Sequence, residues 1–302
     1  MNDQSVISRI LNLKKKKNAL IVAHNYQIDE IQKIADFLGD SLGLARKAAD
    51  IDSSLIVFCG VRFMAEAAKI IAPDKTVLLP NQDAVCDMAK MIDVEGLRKL
   101  KIRHPDAKVV TYVNSPSAVK AESDVCCTSA NAVEIVKNLD SEKIIFTPDK
   151  NLGSYVKRFV DKEIILWDGY CYVHQQITKD QVLQTKQQHP DAVLIVHPEC
   201  NPEVIDLADE VQSTGGMLTV VKESSSPEFI IGTEEGMVHR LRREFPRKIF
   251  NSILTPRICA GMKNITLHDL YQSLEHEKNK VVLSREIITR AKKSLDRMLS
   301  YV

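Results

Sequence analysis

Three cysteines, Cys86, Cys171 and Cys259, close stretches of nearly equal length in this 302-residue chain, and other polar residues keep step with them. His24, Tyr112 and His197 stand 88 and 85 residues apart, and so do Ser41, Ser129 and Thr214. The cysteines follow the first set by 62, 59 and 62 residues. One sulfur per unit at an equivalent place would bring three thiolates together, a soft donor set suited to an iron–sulfur centre. A four-iron cluster held by only three cysteines leaves one iron open, and an open metal position marks a catalytic site rather than a structural one. The plainer alternative is three separate buried thiols, since cysteine is among the most buried residue types. Cys59, Cys126, Cys127 and Cys200 fall outside the register and read as packing residues.

Ser41, Ser129 and Thr214 precede or open helical stretches at 42–49, 130–139 and 215–221. Taken singly, each is an ordinary N-cap. Taken together, three hydroxyls and three helix N-termini would concentrate partial positive charge on one point, a seat for phosphate or carboxylate. His24 and Tyr26, Tyr112 and Asn114, and His197 and Glu199 stand where the first strand of each unit ends. They mix proton donors, proton acceptors and a carboxylate, the equipment for repeated general acid–base steps. Burial beside thiolate charge is expected to raise the Glu199 carboxyl.

The elements that must position these groups alternate. Runs at 19–23, 55–58, 76–79, 108–113, 143–146, 163–166, 193–196 and 228–231 read as buried strands, and 28–38, 94–100, 131–139 and 181–188 as amphipathic helices. Such alternation implies parallel sheets with helices on both faces. The motif His104-Pro105-Asp106-Ala107 recurs 85 residues later as His189-Pro190-Asp191-Ala192, each copy leading into a strand. The expected architecture is therefore α/β, three homologous three-layer αβα domains in pseudo-threefold arrangement around a central active site. Their expected bounds are 1–91, 92–176 and 177–264, with 265–302 as C-terminal helices, the last at 284–300, packing outside. In open α/β sheets ligands sit beyond the carboxyl ends of the strands, where every marker residue lies. No Gly-rich dinucleotide fingerprint follows the first strand, which disfavours a nicotinamide-binding domain.

Composition narrows the function classes. Lys plus Arg number 41 against 40 Asp plus Glu, a formal charge of +1, which argues against a nucleic-acid or membrane-surface partner. The longest stretches free of charged residues have 11 residues, short of the roughly 20 that a membrane span needs. Lys14–Lys17 precede an apolar run too short for a signal-peptide core and read as the solvated end of a first helix. Seven cysteines without a CxxC pair suggest a reducing compartment, the cytoplasm, and disfavour zinc ribbons and ferredoxin runs.

Longer motifs run through the whole chain: AHNYQ (23–27), GDS (39–41), GVRFMAE (60–66), LPNQDAVCDMA (79–89), YVNSPSAVKAESDVCCTSANA (112–132), TPDKNLGSYV (147–156), WDGYCYVH (167–174), HPEC (197–200), STGGM (213–217), GTEEGMVHRL (232–241) and CAGMKNITLHDL (259–270). In these the chain resembles the quinolinate synthase family, iron–sulfur enzymes of de novo NAD synthesis. The resemblance implies a [4Fe-4S] cluster on Cys86, Cys171 and Cys259. It implies condensation of iminoaspartate with dihydroxyacetone phosphate to quinolinate, phosphate and water, with the iminoaspartate supplied by an aspartate-oxidising enzyme. Substrate contacts would be His24, Ser41, Tyr112, Asn114, Ser129, His197, Glu199 and Thr214. Tyr26 and Glu199 would lead the acid–base set with His24 and His197, and Phe63 and Met64 would line the pocket or serve the core. Two departures stand out: Thr128-Ser129-Ala130 replaces the paired serines often seen there, and Met262 stands near Cys259 where some members carry further cysteines. Two other functions fit the same residues: a [4Fe-4S] hydro-lyase on another small carboxylate, and a non-enzymatic receptor for a phosphorylated metabolite.

Overall fold

The β-branched runs form strands that are buried on both faces, as parallel strands between two helix layers must be. The computed structural model describes residues 3–50 and 52–301; Met1, Asn2, Ile51 and Val302, which the expected unit bounds include, lie outside the described residues. In the first unit α1 (Asp3–Lys16) leads to β1 (Ala19–His24), followed by α2 (Asp29–Ile34), β2 (Phe37–Gly39), α3 (Ser41–Asp50), β3 (Leu55–Cys59), α4 (Arg62–Ile71) and β4 (Thr76–Leu78). The second runs α5 (Val94–Arg103), β5 (Lys108–Tyr112), α6 (Ser117–Lys120), β6 (Val125–Cys127), α7 (Ala132–Asn138), β7 (Lys143–Thr147), α8 (Lys150–Lys157) and β8 (Glu163–Leu166). The short α9 (Tyr172–Gln175) ends the second unit, and the third runs α10 (Lys179–Gln188), β9 (Val193–Val196), α11 (Pro202–Ile205), β10 (Glu210–Val211), α12 (Thr214–Glu223), β11 (Glu228–Gly232), α13 (Glu235–Glu244) and β12 (Ile249–Ser252). The chain closes with α14 (Ala260–Lys263), α15 (Leu267–His276) and α16 (Arg285–Leu299).

Three separate four-stranded sheets result, ordered β2-β1-β3-β4, β6-β5-β7-β8 and β10-β9-β11-β12, and every strand pair within them is parallel. The repeated order makes each unit a small doubly wound sheet. Connections leave the first strand toward opposite edges, so a crevice opens at its carboxyl end. This is the three-domain α/β architecture that the register of the sequence implies.

The stretch 28–38 is not one helix. The α2 helix stops at Ile34 because Ala35 is extended (φ −68°, ψ 141°), and Phe37–Gly39 pair instead with Val22–His24 as edge strand β2. Asp36 makes this turn: its Oδ2 accepts the Ile21 N–H at 2.8 Å. Asp124 does the same for Val109 (2.9 Å) and Asp209 for Leu194 (2.8 Å), each one residue ahead of an edge strand. Sequence periodicity misses β2, β6 and β10 because runs of 3, 3 and 2 residues carry no period.

The last helix does not simply lie outside. Residues Ala291, Ser294, Leu295 and Met298 of α16 are buried, and the helix packs on α4, α6 and β6, tying the first unit to the second. Ser294 Oγ donates to Lys120 O at 2.8 Å and receives the Cys126 S–H at 3.4 Å. Cys126 thus serves packing, as expected.

Candidate functional site

The carboxyl ends of the three sheets face one cavity. All twelve residues singled out from the register and the resemblance line it, together with Phe63 and Met64. His24, Tyr112 and His197 are buried at strand ends, and Cys86, Cys171 and Cys259 are half-buried free thiols. Among the described residues no helix is long and apolar enough to cross a membrane.

The sulfurs are brought in by one device used three times. After the third strand of each unit, a helix-opening N–H donates to the carbonyl two residues before the cysteine: Arg62 to Ala84 O (2.8 Å), Lys150 to Gly169 O (2.8 Å), Glu235 to Arg257 O (2.9 Å). Cys171 and Cys259 then cap α9 and α14, and Cys86 precedes a 3₁₀ turn at Met88–Met91. Backbone N–H groups three residues on, from Ala89, His174 and Met262, reach the sulfurs and favour their ionised form. Burial works against them. It pushes Cys86 up to about 12, Cys259 to about 11 and Cys171 well above the ordinary thiol range, with neighbouring sulfurs adding to Cys86 and Cys171. The Cys259 and Cys86 loops meet backbone to backbone: a Cβ on Gly261 would sit 2.0 Å from Val85 O.

The three hydroxyls are not the helix caps that single positions suggest. Asp40 Oδ1 accepts the Gly43 N–H (2.8 Å) and Ser213 Oγ accepts the Gly216 N–H (3.1 Å). In the second unit Thr128 Oγ1 accepts the Ala130 N–H (3.3 Å), and Asn131 Oδ1 accepts the Thr128 N–H (2.8 Å). In the first and third units the neighbour caps, in the second Thr128 and Asn131 close the turn before α7, and Ser41, Ser129 and Thr214 are left lining the cavity.

At the strand ends, His24 Nδ1 accepts the Tyr26 N–H (3.1 Å), which puts its ring proton on Nε2, and the Glu199 N–H points to His197 Nδ1 (3.3 Å). Burial, reinforced by His197, drops His24 to about 3, so it is neutral at physiological pH. Glu199 departs from expectation. Burial does push its carboxyl up, but His197 and His174 outweigh it and hold it well below the usual carboxylate range. Its Oε2 lies 2.7 Å from His174 Nδ1 and 3.3 Å from His197 Nδ1.

Two residues absent from the sequence-derived set complete the site. His174 Nε2 is 2.8 Å from Thr233 Oγ1, which is 2.5 Å from the Tyr26 hydroxyl. Burial lowers His174 despite Glu199, so the consistent proton count has a neutral imidazole with Nδ1–H toward the carboxylate and Nε2 accepting from Thr233. Thr233 in turn accepts from Tyr26, whose phenol burial keeps protonated. Tyr26, Thr233, His174 and Glu199 form one continuous line of close polar groups. The signal for His174 was its place three residues after Cys171, where the other units carry Ala89 and Met262. Among the described residues Glu199 Oε1 and Asn114 Oδ1 are buried without a hydrogen-bond partner, acceptors left over for a ligand. Cys171, His174 and Glu199 place potential metal-binding atoms within 4.8 Å of one another. Cys200 lies behind, its thiol 3.6 Å from Gly232 O.

The sequence profile of the family described as Quinolinate synthetase A protein matches residues 8–300, spanning all three sheets and α16. The chain belongs to this family. It is similar to the quinolinate synthase of Methanosarcina barkeri, 52% identical over 300 residues and covering 99% of both chains. The quinolinate synthase of Geobacter sp. strain M21 is 51% identical over 300 residues with 99% of both covered, and that of Methanoregula boonei 51% over 301 residues with 99% and 100% covered. Quinolinate synthetase membership covers the cavity as a whole, since each lining residue falls within the matched span.

Proposed function

We propose that this chain is a quinolinate synthase of NAD biosynthesis, a transferase that condenses iminoaspartate with dihydroxyacetone phosphate at the central cavity to give quinolinate, phosphate and two waters. The observation that carries the reading is the meeting of three cysteines, the Ser41, Ser129 and Thr214 hydroxyls and an acid–base line in one cavity of a chain from this family. Three buried thiols that resist ionising alone, each met by a backbone N–H, suit a cationic [4Fe-4S] cluster on Cys86, Cys171 and Cys259. When bound, that cluster supplies a Lewis-acidic iron free of a cysteine ligand for a substrate carboxylate or departing hydroxyl.

The remaining work falls to side chains. Ser41, Ser129 and Thr214, at or near helix starts, hold carboxylate or phosphate oxygens, and they orient the triose phosphate as its phosphate leaves. His24 donates from Nε2, and His197, Tyr112 and Asn114 fix the second substrate. Glu199 takes the proton released when the enamine carbon forms the new carbon–carbon bond. Tyr26 gives a proton to a departing hydroxyl and regains one through Thr233 and His174. Substrates and products balance without net oxidation. Seven free thiols suit the cytoplasm, and a reaction that oxidises aspartate must supply the imine. The test is quinolinate formation by oxygen-free, iron- and sulfide-reconstituted protein given both substrates. Dehydration of a hydroxy acid without triose phosphate, or ligand binding without turnover, overturns the reading.

A further inference from the structure

Of the Ser41, Ser129 and Thr214 hydroxyls that line the cavity, the protein fixes the polarity of Thr214 alone among the described residues. Thr214 is 3% exposed, and its Oγ1 accepts a hydrogen bond from Asn25 Nδ2 at 2.8 Å. The fully buried Asn25 gives its Oδ1 to the guanidinium of Arg240. A guanidinium only donates, so the amide cannot turn over: oxygen must face Arg240 and the NH₂ must face Thr214. Arg240 is itself held by Glu244 (2.7 Å) and Leu38 O (3.3 Å). With one of its two lone pairs taken by Asn25, whose NH₂ cannot receive the hydroxyl proton, Thr214 has its O–H left for the cavity that it lines. The line crosses units, from α13 through the end of β1 to the start of α12.

The repeat supplies the comparison. Val113 and Pro198 occupy the places equivalent to Asn25, one residue after Tyr112 and His197. Val113 lines a hollow together with Ser41, and Pro198 lines one together with Ser129, each pair drawn from two units as Asn25 and Thr214 are. Neither side chain can hydrogen-bond. Among the described residues the Ser41 and Ser129 hydroxyls have no protein partner, and they stay free to donate or accept.

We propose that Asn25 and Arg240 are positioning residues that turn the Thr214 O–H into the cavity as a donor. This point of the cavity then favours a full acceptor, the oxygen of a carboxylate or phosphate. The inference rests on the functional reading that Thr214 meets the substrate.

The experiment is equilibrium binding of quinolinate to the full chain prepared without oxygen. Thr214→Val should weaken binding by about tenfold or more, the scale of a lost hydrogen bond to a charged group, and Thr214→Ser should bind like the parent. Asn25→Asp keeps the shape and the Arg240 contact but can only accept, so it turns the Thr214 O–H away from the cavity. It should cost about tenfold or more on the same scale, yet add less than about threefold in the Thr214→Val background. An equal loss in both backgrounds, or no loss in the parent, overturns the inference. Thr214→Val without effect overturns the functional reading instead. If Asn25→Asp fails to fold, Arg240→Met frees the amide to flip. A loss of about two- to fivefold that disappears in the Thr214→Val background supports the inference, and a loss that persists there overturns it.

Discussion

Glu199 is where the proposed chemistry has the smallest margin. Two imidazoles hold its carboxylate ionised in a buried cavity, and one of its oxygens has no protein partner. Glu199→Gln preserves shape and removes the base, so turnover should fall by roughly 10²-fold or more while the cluster's visible absorbance persists; near-normal turnover would take Glu199 out of the mechanism. His24 gives a second prediction, in stability. Its folded pKa, about 3, lies below the ordinary value of 6.5, so below that value the unfolded chain takes up a proton that the folded chain refuses. Stability due to His24 is complete above pH 6.5 and is lost as the pH falls toward 3. Denaturant titrations should show a fall of up to about 1.4 kcal/mol per pH unit from this residue, absent in His24→Gln. A variant whose slope matches the parent would mean that His24 is not held neutral. That these residues share one cavity was legible because repeats keep equivalent positions in step. His174 and Thr233 were not, because their role depends on contacts between segments 59 residues apart that no single motif displays.

Elements decide how close the sulfurs come. The α14 turn lies so near the Cys86 loop that only a glycine fits at position 261. Gly261→Ala must push Val85 away, and iron retained after reconstitution should fall to less than about half with far-UV circular dichroism unchanged, since one backbone clash displaces two ligand loops. Full iron retention would show that another contact sets the approach. The buried strands were readable from β-branched runs, but the edge strands hid behind the aspartates Asp36, Asp124 and Asp209, whose carboxylates replace backbone pairing just ahead of them. Helix 28–38 failed for that reason: an apolar period continued across a turn that a single side chain imposes.

Across the whole molecule, three similar units give a cavity that none of them makes alone. Its walls come from all three sheets, and α16 clamps the first two with a buried stripe of Ala291, Leu295 and Met298. Leu295→Ala should lower the unfolding free energy by about 2–5 kcal/mol, measured by denaturant titration, and a change within about 0.5 kcal/mol would relegate α16 to the surface. Pseudo-symmetry was visible in the spacing of cysteines, hydroxyls and strand ends. The asymmetry was not: one unit contributes Glu199 and another Tyr26, and only the folded chain shows them joined through Thr233 and His174. Iron analysis of the oxygen-free, reconstituted chain tests the central claim most directly. The account predicts about four irons per chain, lost in Cys171→Ala and kept in Cys200→Ala. An iron-free parent, or the same iron content in Cys171→Ala as in the parent, would contradict it.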